Sequence, residues 1–346
     1  MDVVTVIARA PLRISFVGGG TDFPHWFDQH GGAVLSSTID HYAEVTLQPR
    51  GDDRIQIRSF DFGHLVAYDV GAGPVYDGVM DLPKAALSRI GVRRGLDVDI
   101  RSDAPPGSGL GGSSALVTAV VAALAALDGR AMTAEELART SYSIEREDLA
   151  IAGGWQDHFA AAFGGLNLIE FSAVGVRVTP LRLQPDLLEE LGGHLLLCYS
   201  GRVRTDAGLI DAQVRLHAEG REETIQGMKQ LQALAYEMRE ALERGELGAI
   251  GPLLREAYDS KKRMNPLIAE GTPIEHLFAT ARAAGASGGK ICGAGGGGYL
   301  LLACEPARQP AVRTALEELG GRFVPFAFEP AGVRAHVSAR PWQPVR

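Results

Sequence analysis

Pro105-Pro106-Gly107-Ser108-Gly109-Leu110-Gly111-Gly112-Ser113-Ser114-Ala115 is the stretch on which the reading of this chain turns. Two prolines fix φ and remove two backbone donors, so regular structure cannot run into it. The glycines that follow permit left-handed turns and let a ligand approach bare backbone. Residues 116–127 are alanine-rich and apolar and end at Asp128-Gly129. That predicts a buried helix with a glycine stop. A glycine loop that feeds a helix N-terminus presents free N–H groups and a partial positive charge, and phosphate is the expected guest.

The rest of the composition fits such a site. The chain has 346 residues, enough for two domains. A formal net charge of −8 argues against a nucleic-acid binder and means that an anionic ligand needs local cations. Cys198, Cys292 and Cys304 lie far apart, with no spacing for a zinc site or a disulfide framework, which suits a reducing cytoplasm. Met1-Asp2-Val3-Val4 has neither a basic nor an apolar leader region, so no signal peptide is expected. The longest apolar run is too short to span a bilayer.

Outward from the loop, residues 96–100 alternate apolar and polar and predict the strand before it. Residues 43–48 and 54–58 alternate likewise. Residues 3–17 read as extended and run into a second glycine loop, Gly18-Gly19-Gly20-Thr21-Asp22. Thr133-Ala134-Glu135-Glu136 has the form of a capping box and opens a helix to about Glu147. In the second half, residues 218–243 read as one long helical stretch, followed by helices at 247–260, 273–284 and 309–319. Strands are expected at 166–171, 194–199, 299–303 and 333–337. The mixture implies an α+β fold in two halves, 1–180 and 181–346, joined near 175–190.

Two familiar loops are excluded. A P-loop needs lysine where Ser113 follows Gly112, and the prolines are wrong for a dinucleotide-binding turn. Gly293-Ala294-Gly295-Gly296-Gly297-Gly298 contains a literal G-x-G-x-x-G, with Glu318 twenty residues on. The residues after it, Tyr299-Leu300-Leu301-Leu302, are strand-like, so no nicotinamide cofactor is expected. Ser113 and Ser114 stand where a helix begins, as N-caps or as a hydroxyl for a metal on the phosphates. Carboxylates near a helix end, such as Glu145, Glu147 and Asp148, are ordinarily a solvated face.

The central loop resembles the phosphate loop of the GHMP kinases, the superfamily of galactokinase, homoserine kinase and mevalonate kinase. Two further stretches carry the resemblance over nearly the whole chain. Arg9-Ala10-Pro11-Leu12-Arg13-Ile14-Ser15-Phe16-Val17-Gly18-Gly19-Gly20-Thr21-Asp22 looks like the N-terminal substrate motif, and Gly289-Lys290-Ile291-Cys292-Gly293-Ala294-Gly295-Gly296-Gly297-Gly298 like the C-terminal glycine motif. The resemblance implies a two-domain GHMP kinase fold, with a ribosomal-S5-domain-2-like N-terminal domain and a ferredoxin-like C-terminal domain. It implies ATP and Mg²⁺ as cofactors, with ATP held by Pro106, Gly107, Ser108, Gly109, Leu110, Gly111, Gly112, Ser113 and Ser114. The family pattern has a serine where this chain has Gly112. Ser113 then matches the serine implicated at the metal, and Ser114 stands one residue out of register.

The family places a glutamate twelve residues before its catalytic aspartate, and Glu145 and Asp157 stand at that spacing. The resemblance makes Glu145 the Mg²⁺ ligand with Ser113, and Asp157 the base. Asp157 follows Gly153-Gly154 and so leaves the helix of Glu145; His158 replaces the family's glutamine and reads as a core or substrate-contacting histidine. Arg13 is expected near the transferring phosphate. Gly19, Gly20, Thr21, Asp22, Gly154, Gly295 and Gly296 are expected around the sugar. Within the superfamily, the N-terminal motif looks like that of heptose 7-phosphate kinases and their fucokinase-like relatives, which phosphorylate an anomeric oxygen. A substrate that already bears phosphate needs cations. Arg202 and Arg204 are the first candidates and Lys261-Lys262-Arg263 and Lys290 the others, with surface charge the preferred reading of Lys261 to Arg263. The partners implied are a sugar phosphate and ATP, with no nucleic acid and no membrane; a homodimer stays open. A non-catalytic sensor on the same fold would be expected to lack Ser113, Glu145 or Asp157, and all three are present.

Overall fold

The computed structural model describes residues 4–61, 63–201, 207–269 and 273–338. In chain order, the first half runs β1 (Thr5–Val17), α1 (Pro24–His30), β2 (Gly32–Pro49), β3 (Arg54–Ser59), β4 (His64–Asp69), α2 (Asp81–Ile90), β5 (Leu96–Ser102), α3 (Gly112–Leu127), α4 (Ala134–Tyr142), α5 (Gln156–Phe163), β6 (Leu166–Ser172) and β7 (Gly175–Pro180). The second half adds α6 (Pro185–Gly193), β8 (Leu195–Tyr199), α7 (Ala207–Ala218), α8 (Glu222–Glu243), α9 (Ile250–Met264), α10 (Ile274–Ala284), β9 (Gly288–Ile291), β10 (Tyr299–Ala303), α11 (Gln309–Glu317), β11 (Arg322–Val324) and β12 (Arg334–Ser338).

Two sheets organise these elements, as an α+β chain requires. The larger has the order β12-β1-β2-β5-β3-β4, with β6 and β7 continuing from β2. Its pairings are antiparallel except for β3 with β5. The smaller is antiparallel, β11-β8-β10-β9. The last strand returns to the first sheet, where Ser338 pairs with Thr5.

The sequence predicted only the second part of β2, because residues 33–39 are buried on both faces and cannot alternate. The long helix expected at 218–243 is α8, which begins only at Glu222, since Ala218 ends α7. Gly220 at φ 68 separates α7 from α8, a left-handed break that a side chain resists.

Helix α3 is the axis of the first half. Its buried residues fall on every face, which its alanine-rich, apolar composition foretold. It packs against β1 and β2 and against α2, α4 and α5. Its N-terminus emerges from the central glycine loop and carries no side-chain cap. The predicted capping box at Thr133 is complete: Thr133 Oγ1 accepts from the Glu136 amide, and the Glu136 carboxylate accepts from the Thr133 amide. No helix among the described residues is long and apolar enough to cross a membrane.

Candidate active site

A cavity of about 860 Å³ opens where the two halves meet. The central glycine loop forms its floor, pinned by its neighbours. The Arg13 amide donates to Leu110 O at 2.9 Å and the Tyr299 amide to Ser108 O at 3.0 Å. A Cβ on Gly109, whose φ is +85, would stand 2.6 Å from Cys292 O. The C-terminal glycine loop thus closes directly on the central loop, and only glycine permits that approach.

Arg13 and Asp157 meet at this junction. Arg13 Nε donates to Asp157 Oδ1 at 2.8 Å, and Nη1 donates to Gly109 O at 2.5 Å. Arg13 is 4% exposed and Asp157 20%, so the carboxylate keeps access to the cavity while the guanidinium is fixed behind it. Asp157 lies in the first turn of α5: it leaves the helix of Glu145, as expected, and enters a new one.

Glu145 lies on a π-helical turn, Ser143–Asp148, that continues α4. That wider turn brings the consecutive residues Glu145 and Arg146 both to the cavity wall. Burial alone would raise the Glu145 carboxyl, but hydrogen bonds and charge from His158, with Arg146 and Ser114, hold it down at about 2. Oε2 accepts from Ser114 Oγ at 2.7 Å and contacts His158 Nε2 at 2.6 Å. Ser114 is fully buried and its hydroxyl is committed to Glu145, whereas Ser113 is exposed and lines the cavity. Of the residues expected at the metal, Ser113 and Glu145 are therefore the ones that present oxygen to the cavity. An ionised carboxylate and a hydroxyl beside an uncapped helix N-terminus fit Mg²⁺, which takes one or two protein oxygens together with substrate phosphates.

The second glycine loop holds Asp22 against α5. Asp22 Oδ1 accepts from the Gly20 amide at 3.0 Å and Oδ2 from the Gln156 amide at 3.1 Å. Burial pushes its carboxyl upward, the Asp157 charge adds to that, and these two amides oppose it. A Cβ on Gly154 would run into Asp22 Oδ2.

The expected residues divide in two. Arg13, Gly19, Gly20, Asp22, Pro106, Gly107, Ser108, Gly109, Gly111, Gly112, Ser113, Glu145, Gly154 and Asp157 line the cavity. Thr21 does not, since its hydroxyl bonds Gly18 O at 2.8 Å and the Ala33 backbone at 3.1 Å. Leu110 points into the core with no exposed surface. In the C-terminal motif, Gly293 and Ala294 reach the cavity in place of Gly295 and Gly296; Gly295 packs instead on the Ile268 side chain. Arg202 and Arg204 lie outside the described residues.

Lys261 corrects the reading of its charge run as surface. It is 4% exposed, lines the cavity, and donates to Gly293 O. Lys262 and Arg263 behave as expected: Lys262 pairs with Asp259 and Glu275, and Arg263 bonds Ser260. A signal for Lys261 existed. The buried residues Ile250, Leu254, Ala257, Lys261 and Met264 fall at helical spacing, so Lys261 sits in the apolar stripe of α9. Lys290, an expected candidate, is buried in the cavity wall with Nζ donating to Ser15 O at 2.6 Å. Burial pulls its ammonium down to about 8, with Arg13 adding to the shift. Ser59, Asp61, His64, Met80, Leu82 and Pro83 also line the cavity and had no local signal, because sheet pairing and the start of α2 bring them there.

Comparison with known proteins places the chain among its relatives. Residues 78–165 match the GHMP kinases N terminal domain and residues 238–321 the GHMP kinases C terminal domain. The chain is 33% identical to a D-glycero-alpha-D-manno-heptose 7-phosphate kinase of Campylobacter jejuni over 96% of its own length and 98% of that protein's. It is 29% identical to a bifunctional fucokinase/GDP-fucose pyrophosphorylase of Arabidopsis thaliana, covering 89% of this chain and 31% of that one. A crystal structure of a D-glycero-D-manno-heptose 1-phosphate kinase from Bacteroides thetaiotaomicron superposes with a TM-score of 0.81 at 29% identity, over 99% of this chain and 100% of that one. A glycine loop at an uncapped helix N-terminus, an arginine-held aspartate beside it and these similarities together make the chain a member of the GHMP kinase family.

Proposed function

We infer that the enzyme transfers the terminal phosphoryl group of ATP to the anomeric C1 hydroxyl of D-glycero-D-manno-heptose 7-phosphate. The product is the 1,7-bisphosphate, a step in nucleotide-activated (GDP-) heptose synthesis for surface polysaccharide in the cytoplasm. The observation that carries the reading is the Asp157–Arg13 pair facing the phosphate loop, with Asp22 close enough for its carboxyl to feel the Asp157 charge. The similarity to a heptose 7-phosphate kinase over almost the full chain supports the sugar. The cations at the cavity wall besides Arg13, namely Arg146, Lys261 and Lys290, support a phosphorylated substrate for a chain of net charge −8.

In this reading the ATP phosphates lie over residues 106–113, where backbone amides and the N-terminus of α3 offset their charge. Ser113 and Glu145 would hold Mg²⁺, which supplies charge neutralisation on the phosphates. The sugar sits between Asp22 and Asp157, with Asp22 accepting hydrogen bonds from ring hydroxyls. Asp157 takes the C1 hydroxyl proton as that oxygen bonds to the terminal phosphorus, and the bond from phosphorus to the ADP oxygen breaks. Arg13 faces the charge that develops on the phosphoryl oxygens.

The test is an ADP-release screen of heptose 7-phosphate, free heptose, fucose and galactose at matched concentrations. Turnover is expected with the phosphorylated heptose at a kcat/KM at least about tenfold above any free sugar, since a phosphate on charged donors contributes roughly 1.5–3 kcal/mol. Equal or better turnover of fucose would replace this reading with that of a fucokinase-like sugar 1-kinase. Gly154→Ala probes the sugar subsite separately. The methyl group must displace Asp22 Oδ2, so KM for the sugar is expected to rise about tenfold or more while KM for ATP holds. A raised KM for ATP with an unchanged sugar KM would place Asp22 elsewhere.

A further inference from the structure

His158 is fully buried, and neither the phosphate loop nor the sugar reading gives it a task. It occupies the third position of α5, next to Asp157. Adjacent helical residues point about 100° apart, so one short helix delivers Asp157 to Arg13 and His158 to Glu145. The ring is held edge-on to Tyr142, with centroids 5.5 Å apart at 77°. Its Nδ1 has no partner among the described residues.

The two oxygens of Glu145 are treated differently. Oε2 takes both inward contacts, from Ser114 Oγ at 2.7 Å and His158 Nε2 at 2.6 Å. A carboxylate oxygen accepts, so in the 2.6 Å contact with Oε2 the donor is His158 Nε2. Oε1 accepts no hydrogen bond among the described residues, and the cation facing it is Arg146 Nη1 at 3.5 Å. Glu145 forms part of the cavity wall, so Oε1, which accepts no hydrogen bond among the described residues and is met only by the Arg146 charge at 3.5 Å, is the oxygen left to bind there. A carboxylate on a flexible side chain would otherwise lose rotamer freedom each time it bound a cation.

We propose that His158 is a positioning residue for a divalent cation: it and Ser114 clamp Oε2 of Glu145 inward, so that Oε1 stands ready to ligate the metal that accompanies the nucleotide. The proposal rests on the reading of Glu145 as the metal-holding carboxylate. The glutamine that stands at this place in the family pattern could make the same single donation through its amide, which singles out His158→Gln as the conservative exchange.

Mn²⁺ binding to the ADP complex, followed by electron paramagnetic resonance of the free ion, tests it without turnover. His158→Leu is expected to weaken Mn²⁺ binding about 10- to 100-fold, the usual effect of removing a partner that orients a metal ligand. His158→Gln should stay within about threefold of wild type, since it keeps the donor. Ser114→Ala should weaken binding in the same direction by removing the other tie, and it decides the matter if the leucine variant does not fold. Wild-type Mn²⁺ affinity in both His158→Leu and Ser114→Ala overturns the proposal, as does an equal loss in the glutamine and leucine variants. Glu145→Gln separates the two levels. If it lowers Mn²⁺ affinity while the His158 and Ser114 variants do not, the positioning fails and the metal reading stands; if it leaves Mn²⁺ affinity unchanged, both fall.

Discussion

Asp157→Asn is expected to lower kcat by about 10²- to 10⁴-fold while KM for ATP and sugar changes little, the range over which a positioned proton acceptor acts. The exchange is nearly isosteric, and its amide oxygen can still accept from Arg13 Nε, now 2.8 Å from Oδ1. Geometry is therefore retained and proton acceptance is lost. Asp157→Ala differs in an informative way, because it also strips the buried Arg13 of its carboxylate. It should lower the melting temperature more than the asparagine variant and lower kcat by at least as much. Steady-state ADP release from both variants, with melting curves, checks this. If Asp157→Asn turned over at the wild-type rate, the residue would only orient the hydroxyl, which a loose transition state allows.

The sequence was most informative where backbone chemistry is extreme. The prolines and glycines of residues 105–112 can form little but a loop, and the capping box at Thr133 has one reading. Glu145 and Asp157, twelve residues apart, both line the cavity, but the helix end between them takes a form the spacing does not show. A π-helical turn and a fresh helix replace the simple helix end, and neither leaves a periodic trace. Lys261 shows a different limit. The residues after it, Lys262 and Arg263, are charged and outward-facing, so composition alone reads the run as solvated, while the stripe of α9 that contains it is buried. Lys290 of β9 and Ser15 of β1, 275 residues apart, meet in the wall of the cavity where the two halves come together. Such long-range pairing is set by the whole topology and has no local signature.

Gly109→Ala should be the most damaging change among the loop glycines. Its φ of +85 costs an alanine about 1–2 kcal/mol by itself. The added methyl would also stand 2.6 Å from Cys292 O and 3.2 Å from the Gly293 amide, both backbone atoms that cannot swing aside. The C-terminal glycine loop must then back away from the phosphate loop, or the phosphate loop must tilt. Either displaces the carbonyl that fixes Arg13 and the amides that would meet the ATP phosphates. A shift of about 1 Å at reacting groups can cost 10²-fold, so kcat/KM for ATP is expected to fall by about that factor, together with a lower melting temperature. Gly112→Ala is the matched comparison. Nothing lies within 4 Å of its would-be Cβ, and it opens α3, where alanine is the better helix former. Its melting temperature should hold or rise, while KM for ATP rises because the methyl enters the space assigned to phosphate. A Gly109→Ala enzyme with wild-type kcat/KM would mean that the contact between the two glycine loops does not set the geometry of the site. A Gly112→Ala enzyme with unchanged KM for ATP would move the phosphates away from the start of α3.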